Sequence, residues 1–290
     1  MREELIKIVA EDGVILHGQF WQPKTKSNKI IIHNHGMAGN FYENDFIFDM
    51  AKEYTKHGYA FLSCNNRGHD YIADIVQVNS DGFKGGAAYE VFKECIKDID
   101  AYVSFAQARG YTNLILQGHS SGANKVAFWA SRNRENKNLM GIVLISPCDD
   151  IGLNIEELGY EKYKALIEKA HLLMLSNKGD DMMPDGTFYD YPVSAKTYFS
   201  NFSQGAEFDI FHYRDINKNF DTLSAICVPI LVTFGNKNEF LLQDSSFVEH
   251  KVYKTLYDCK FYVIDGANHS YLGKSKDLIN LVLSWMKEYE

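Results

Sequence analysis

The chain has 290 residues, 46% of them hydrophobic, enough to bury a large core as one α/β domain or as a domain with an insertion. Charged residues make up 23% and aromatics 14%, a composition that excludes a disordered chain. The net charge is −8 and no Lys/Arg cluster offsets it, which argues against nucleic acid or an anionic membrane surface as a partner.

Residues 5–10 and 14–21 read as two strands joined at Glu11-Asp12-Gly13, a hairpin signal. A polar connector follows. Lys29-Ile30-Ile31-Ile32 then suits a strand buried on both faces. Phe46, Ile47, Met50, Ala51 and Tyr54 fall at helical spacing, so a helix is predicted over 44–57, stopped by Gly58. A strand over 59–64 and a long amphipathic helix over 87–109 come next. They are followed by a strand over 113–117, a helix over 121–131 and a strand over 140–146. Strands over 229–234 and 260–264 and a closing helix over 275–288 complete the series. Repeated β-α-β units predict an α/β fold with a mainly parallel sheet flanked by helices.

The rhythm breaks between Cys148 and Ile226. That stretch holds one clear helix, striped by Tyr163, Leu166, Ile167, Ala170, Leu173 and Met174, and then turn-rich aromatic segments. It reads as a helical cap inserted after the sixth strand. The expected organisation is core over 1–148, cap over 149–226 and core again over 227–290. The five cysteines are scattered without C-x-x-C spacing, which suggests free thiols in a reducing compartment. No charged segment leads a long apolar one at the start, and no apolar run nears the ~20 residues that span a bilayer, so a cytoplasmic location is expected.

The informative stretch is Leu114 to Ala123, a strand, then Gly118-His119-Ser120-Ser121-Gly122, then a helix. This G-x-S-x-G turn is so tight that strand and helix nearly touch at the two glycines. It lifts Ser120 out of the sheet as a nucleophile. The Ser121 amide sits at a helix N-terminus, where it can face a developing negative charge. His33-Asn34-His35-Gly36-Met37-Ala38-Gly39 follows the third strand. Its Met37 amide is the expected second oxyanion donor, and His35, Gly36 and His119 are expected to line the substrate site. His33 and His35 alternate on one strand face, as metal ligands can, but no third ligand stands at a recognisable spacing.

Folds with this elbow order their triad as Ser, acid, His. His269, in the loop after the last strand, is the expected base that takes and returns the Ser120 proton. The acid is ambiguous. The carboxylate is expected about three residues past Gly235, where Asn238 stands. Three readings compete: Glu239 through a shifted loop, Asn238 through its amide oxygen, and Asp149 or Asp150 after the strand ending at Ser146.

Strand order, His35-Gly36, Gly118 to Gly122, Gly235 and His269 together resemble the α/β-hydrolase superfamily over essentially the whole chain. Tyr160-Glu161-Lys162-Tyr163, Lys178-Gly179, Pro184, Tyr191-Pro192 and Phe208-Asp209 are similar in order to the cap of fungal siderophore-esterase-like hydrolases. Asn65-Asn66-Arg67-Gly68-His69 resembles the matching loop of feruloyl (cinnamoyl) esterases and serine-aminopeptidase-type hydrolases. The acid of those families is usually Asp, so Asn238 departs from the pattern. The resemblance implies a small carboxylic ester as the bound molecule, hydrolysed through an acyl-enzyme on Ser120 with no cofactor and no metal. An amidase, peptidase or thioesterase would use the same machinery, and a non-catalytic ligand-binding homologue is the reading that Asn238 favours. The sequence leaves room for a homodimer.

Overall fold

The computed structural model describes residues 1–289 apart from 216 and 257. The strands are β1 (Arg2–Val9), β2 (Ile15–Gln22), β3 (Lys29–Asn34), β4 (Ala60–Cys64), β5 (Ala73–Ile75), β6 (Phe83–Gly85), β7 (Asn113–His119), β8 (Leu139–Ile145), β9 (Ile230–Gly235) and β10 (Cys259–Ile264). The helices are α1 (Asp45–Lys56), α2 (Cys95–Ala108), α3 (Ser121–Arg132), α4 (Asp150–Leu158), α5 (Tyr160–Leu175), α6 (Ala195–Phe202), α7 (Asp221–Ser224), α8 (Ser245–Thr255) and α9 (Ser275–Met286).

Eight strands form one sheet in the order β1-β2-β4-β3-β7-β8-β9-β10. β2 pairs antiparallel with β1 and β4, and all other neighbours are parallel. The β-branched run of β3 explains its central place. Ile30 and Ile32 pack into one apolar cluster with α2, α3 and α8, while Ile31 packs into another with α1 and α9. Each such side chain, fully buried, contributes about 1.5–3 kcal/mol. The fold class is the α/β-hydrolase fold. The insertion point after the sixth strand of the main sheet is the end of β8, because β5 and β6 form a separate hairpin.

Two features depart from the sequence reading. The helix predicted over 87–109 begins only at Cys95, after a 3-10 turn at Phe92–Glu94. Tertiary partners claim the backbone before it. The Ala88 carbonyl accepts from the Ser194 amide at 2.8 Å and the Thr197 hydroxyl at 2.9 Å, and the Phe92 amide donates to Ser200 Oγ. Among the described residues, the segment between β8 and β9 holds helices α4 to α7 rather than one clear helix. Its stripe on α5 is also narrower than predicted. Tyr163 and Ala170 are buried, while Met174 is exposed. A third apolar cluster, including Ala170, Met183, Phe188, Tyr198 and Phe202, lies within this segment.

Candidate active site

β3 and β7 are neighbours, with Asn34 paired to Gly118, and the chain order reverses between them. Such a switch point opens a crevice at the strand C-termini. The loop after β3 and the turn after β7 therefore abut by topology. Ser120 takes φ 56° and ψ −132°, a conformation rare for a residue with a side chain. The turn closes hard on itself. A Cβ on Gly118 would lie 2.3 Å from the Gly122 carbonyl oxygen, and one on Gly122 would lie 2.3 Å from that of Asn34. The Ser120 amide donates to Ile145 of β8 at 2.8 Å, fixing the turn to the sheet.

The turn over 36–39 packs on this elbow. A Cβ on Gly36 would meet Ser120 Cβ at 2.8 Å, so glycine permits the approach. Met37 follows with its side chain against the apolar cluster of the β8–β9 segment. Its amide has no hydrogen-bond acceptor among the described residues. Ser121 opens α3, so its amide has no acceptor one helical turn back.

His35 is not where a substrate-lining residue would be. It is buried away from the cavity, with Nδ1 on the Gly36 carbonyl at 2.8 Å and Nε2 accepting from the Asn66 amide at 3.0 Å. Burial holds its pKa well below the ordinary imidazole value, with the Lys125 charge adding to the effect. Gly36 and His119 do line the cavity. The His119 ring is nonetheless committed to the protein. Nε2 bonds the His269 carbonyl at 2.7 Å, and Phe46 stands edge-on to the ring. His33 points at Gln117, whose amide nitrogen lies 2.9 Å from Nδ1, and burial lowers its pKa to about 3.

His269 Nδ1 lies 2.5 Å from Glu239 Oε1. The other carboxylate oxygen of Glu239 accepts from Ser146 Oγ at 2.8 Å and from the Gly235 amide at 3.0 Å. Burial alone would raise the Glu239 pKa. The bond and charge of His269, with the Gly235 and Ser146 donors, outweigh it and hold the carboxyl below its ordinary value. Phe240 packs edge-on against His269 with ring centroids 4.8 Å apart.

The other acid candidates make no hydrogen bond to His269 among the described residues. Asn238 is exposed at φ 52°, a left-handed position that Asn tolerates well, and it makes no hydrogen bond to His269. Asp149 caps α4 through the Gly152 amide and pairs with Arg214. Asp150 lines the cavity without a hydrogen-bond partner among the described residues.

The cavity measures about 470 Å³ and is lined by Ser120, His119, His269, Gly36, Met37, Cys148 and Asp150. Tyr71, Phe188, Tyr189, Tyr191 and Phe240 supply aromatic walls. Cys148 was not foreseen from the sequence; its Sγ lies 3.6 Å from Ser120 Oγ. Nor was Asp150 foreseen as a lining group. Both directly follow β8, the strand beside β7, so their place at the same sheet edge was open to a topological argument.

The family model described as serine aminopeptidase, S33, matches residues 25–184. The chain belongs to this serine aminopeptidase S33 family of hydrolases. No curated protein matches it. Among solved structures, the chain is similar to Est1E from Butyrivibrio proteoclasticus with ferulic acid bound, at 19% identity and TM-score 0.69 over 98% of both chains. The α/β-hydrolase GrgF from Penicillium sp. sh18 is 13% identical at TM-score 0.71, over 100% of this chain and 99% of that one. A proline iminopeptidase from Mycobacterium smegmatis is 14% identical at TM-score 0.62, over 99% and 98%. These likenesses establish a shared fold, which S33 members have in common with esterases.

Proposed function

We propose that this S33-family protein is a serine esterase that cleaves small carboxylic esters through an acyl-enzyme on Ser120. The observation that carries the reading is the Glu239–His269 pair, whose imidazole lines one cavity with the elbow serine. Ser120 Oγ attacks the ester carbonyl while His269 takes its proton and later returns it to the leaving alcohol. Glu239 fixes the ring and offsets the imidazolium charge. The Met37 and Ser121 amides receive the oxyanion. Ser120 Oγ must rotate from Cys148 toward His269 before attack, a tightening common on substrate binding.

The segment over 149–226 acts as the cap and supplies Phe188, Tyr189 and Tyr191 to the acyl site. With Glu239 in place, the departure at Asn238 no longer argues for a non-catalytic binder. Among the described residues the cavity is lined by the carboxylates of Glu43 and Asp70, by Asp150, whose carboxyl burial keeps protonated to near neutral pH, and by neither Lys nor Arg. Neutral and cationic substrates are therefore favoured over anionic ones.

The same carboxylates favour a second reading, hydrolysis of a substrate with a free amine, in keeping with the aminopeptidase description of the family. The test compares p-nitrophenyl butyrate with aminoacyl p-nitroanilides. Turnover of the ester at least tenfold faster supports the esterase; turnover confined to the anilides replaces it with the peptidase.

A further inference from the structure

The buried ring of His35 has both nitrogens occupied, and the pattern fixes its proton. Nε2 accepts the Asn66 amide proton at 3.0 Å. A neutral imidazole has one donor and one acceptor, so Nδ1 carries the hydrogen and donates it to the Gly36 carbonyl at 2.8 Å. That carbonyl belongs to the same peptide unit as the Met37 amide. In a planar trans peptide the C=O and N–H point in opposite directions. Holding the Gly36 oxygen therefore aims the Met37 N–H the other way.

The supports behind His35 are also buried. Asn66 Nδ2 donates to Asn34 Oδ1 at 3.1 Å. Asn66 Oδ1 accepts from the Gly68 amide at 2.9 Å and from Lys125 Nζ at 3.3 Å, and Lys125 pairs with Glu90. Gly39 donates a second, longer bond to the Gly36 carbonyl at 3.2 Å. Gly36 stands on the N-terminal side of this peptide, and with no Cβ it offers little intrinsic resistance to rotation about its own ψ.

We propose that His35 is a positioning residue. Its Nδ1–H locks the Gly36–Met37 peptide so that the Met37 amide is presented to the oxyanion, and the Asn66 amide selects the tautomer that can do so. The inference rests on the reading of the Met37 amide as an oxyanion donor.

Side-chain isosteres separate the two nitrogens. In His35→Asn the amide NH₂ takes the place of Nδ1–H and keeps the donor to Gly36. In His35→Gln the amide reaches the Nε2 position and keeps only the contact with Asn66. Removing one oxyanion donor outright costs ~10²–10³-fold in kcat. A misaimed donor with the Gly39 bond remaining is expected to cost His35→Gln about tenfold or more.

The experiment measures kcat and KM with p-nitrophenyl butyrate, together with inhibition by a trifluoromethyl ketone whose adduct carries the oxyanion. The expected result is a fall in kcat for His35→Gln at unchanged KM, a parallel loss of ketone affinity, and His35→Asn within about threefold of the parent. Equal losses in both variants, or a His35→Gln enzyme with parental kcat, overturn the proposal. Failure of the parent itself to turn over the ester counts against the esterase reading instead. Long-range proton–nitrogen NMR of the parent protein reads the His35 tautomer without turnover or mutation. A proton on Nδ1 is expected, and one on Nε2 overturns the proposal even where the variants do not fold.

Discussion

Replacing Asp150 by Asn is expected to stabilise the protein at and above neutral pH and to change it little near pH 4. Asp150 is 7% exposed and has no hydrogen-bond partner among the described residues. Burial, with the Asp149 charge beside it, raises its pKa to about 7. In the unfolded chain an Asp titrates near ~3.9. The difference is roughly 3 pKa units at ~1.4 kcal/mol each, so ionising Asp150 in the folded state costs up to about 4 kcal/mol.

Between the two pKa values the folded state keeps a proton that the unfolded state has released. Stability therefore falls as pH rises through that window. An Asn carries no charge and escapes the loss. For a chain of this size ~1 kcal/mol moves Tm by about 2 °C, so the variant should gain up to roughly 8 °C over the parent by pH 8. The assay is thermal unfolding followed by circular dichroism in half-unit steps from pH 4 to 8. A gap between variant and parent that stays constant across this range refutes the reasoning.

Glu239→Gln removes the carboxylate from His269 Nδ1 and invites the wrong ring tautomer. It should lower kcat by ~10²–10⁴-fold with little change in KM, read by steady-state kinetics; a kcat within threefold of the parent excludes Glu239 as the acid. Asn238→Asp should leave kcat within about twofold, because the side chain is exposed and Glu239 already occupies the ring nitrogen. A tenfold gain there would return the acid to position 238. Gly122→Ala places a Cβ against the Asn34 and His35 carbonyl oxygens and should cost ~1–3 kcal/mol or more by overpacking, measured as a lower urea midpoint. Unchanged stability would contradict the closeness of the elbow and the β3 loop.

Much of the fold was legible because its signals are local. The Ile30-Ile31-Ile32 run, the stripe of α1 and the Gly118–Gly122 spacing each follow from strand, helix and turn geometry within a few residues. The place of His269 in the cavity wall was legible from its position after the last strand. Its carboxylate partner was not. Asn238 sits at the position where a carboxylate is expected, and a left-handed residue there followed by Glu239 is a loop conformation that spacing does not reveal. His35 was misplaced for a related reason. Its ring is held by Asn66, 31 residues away in sequence and brought close by the pairing of β3 with β4. The start of α2 was likewise overridden by contacts with α6.

Everything proposed for the site depends on Ser120 being a working nucleophile. The most direct measurement treats the purified protein and its Ser120→Ala variant with a fluorophosphonate and locates the label by mass spectrometry, beside a p-nitrophenyl butyrate burst assay. Stoichiometric label on Ser120 and turnover by the parent are expected, with neither label nor turnover in a variant of near-parental Tm. An unlabelled Ser120, or turnover that survives its removal, would contradict that role.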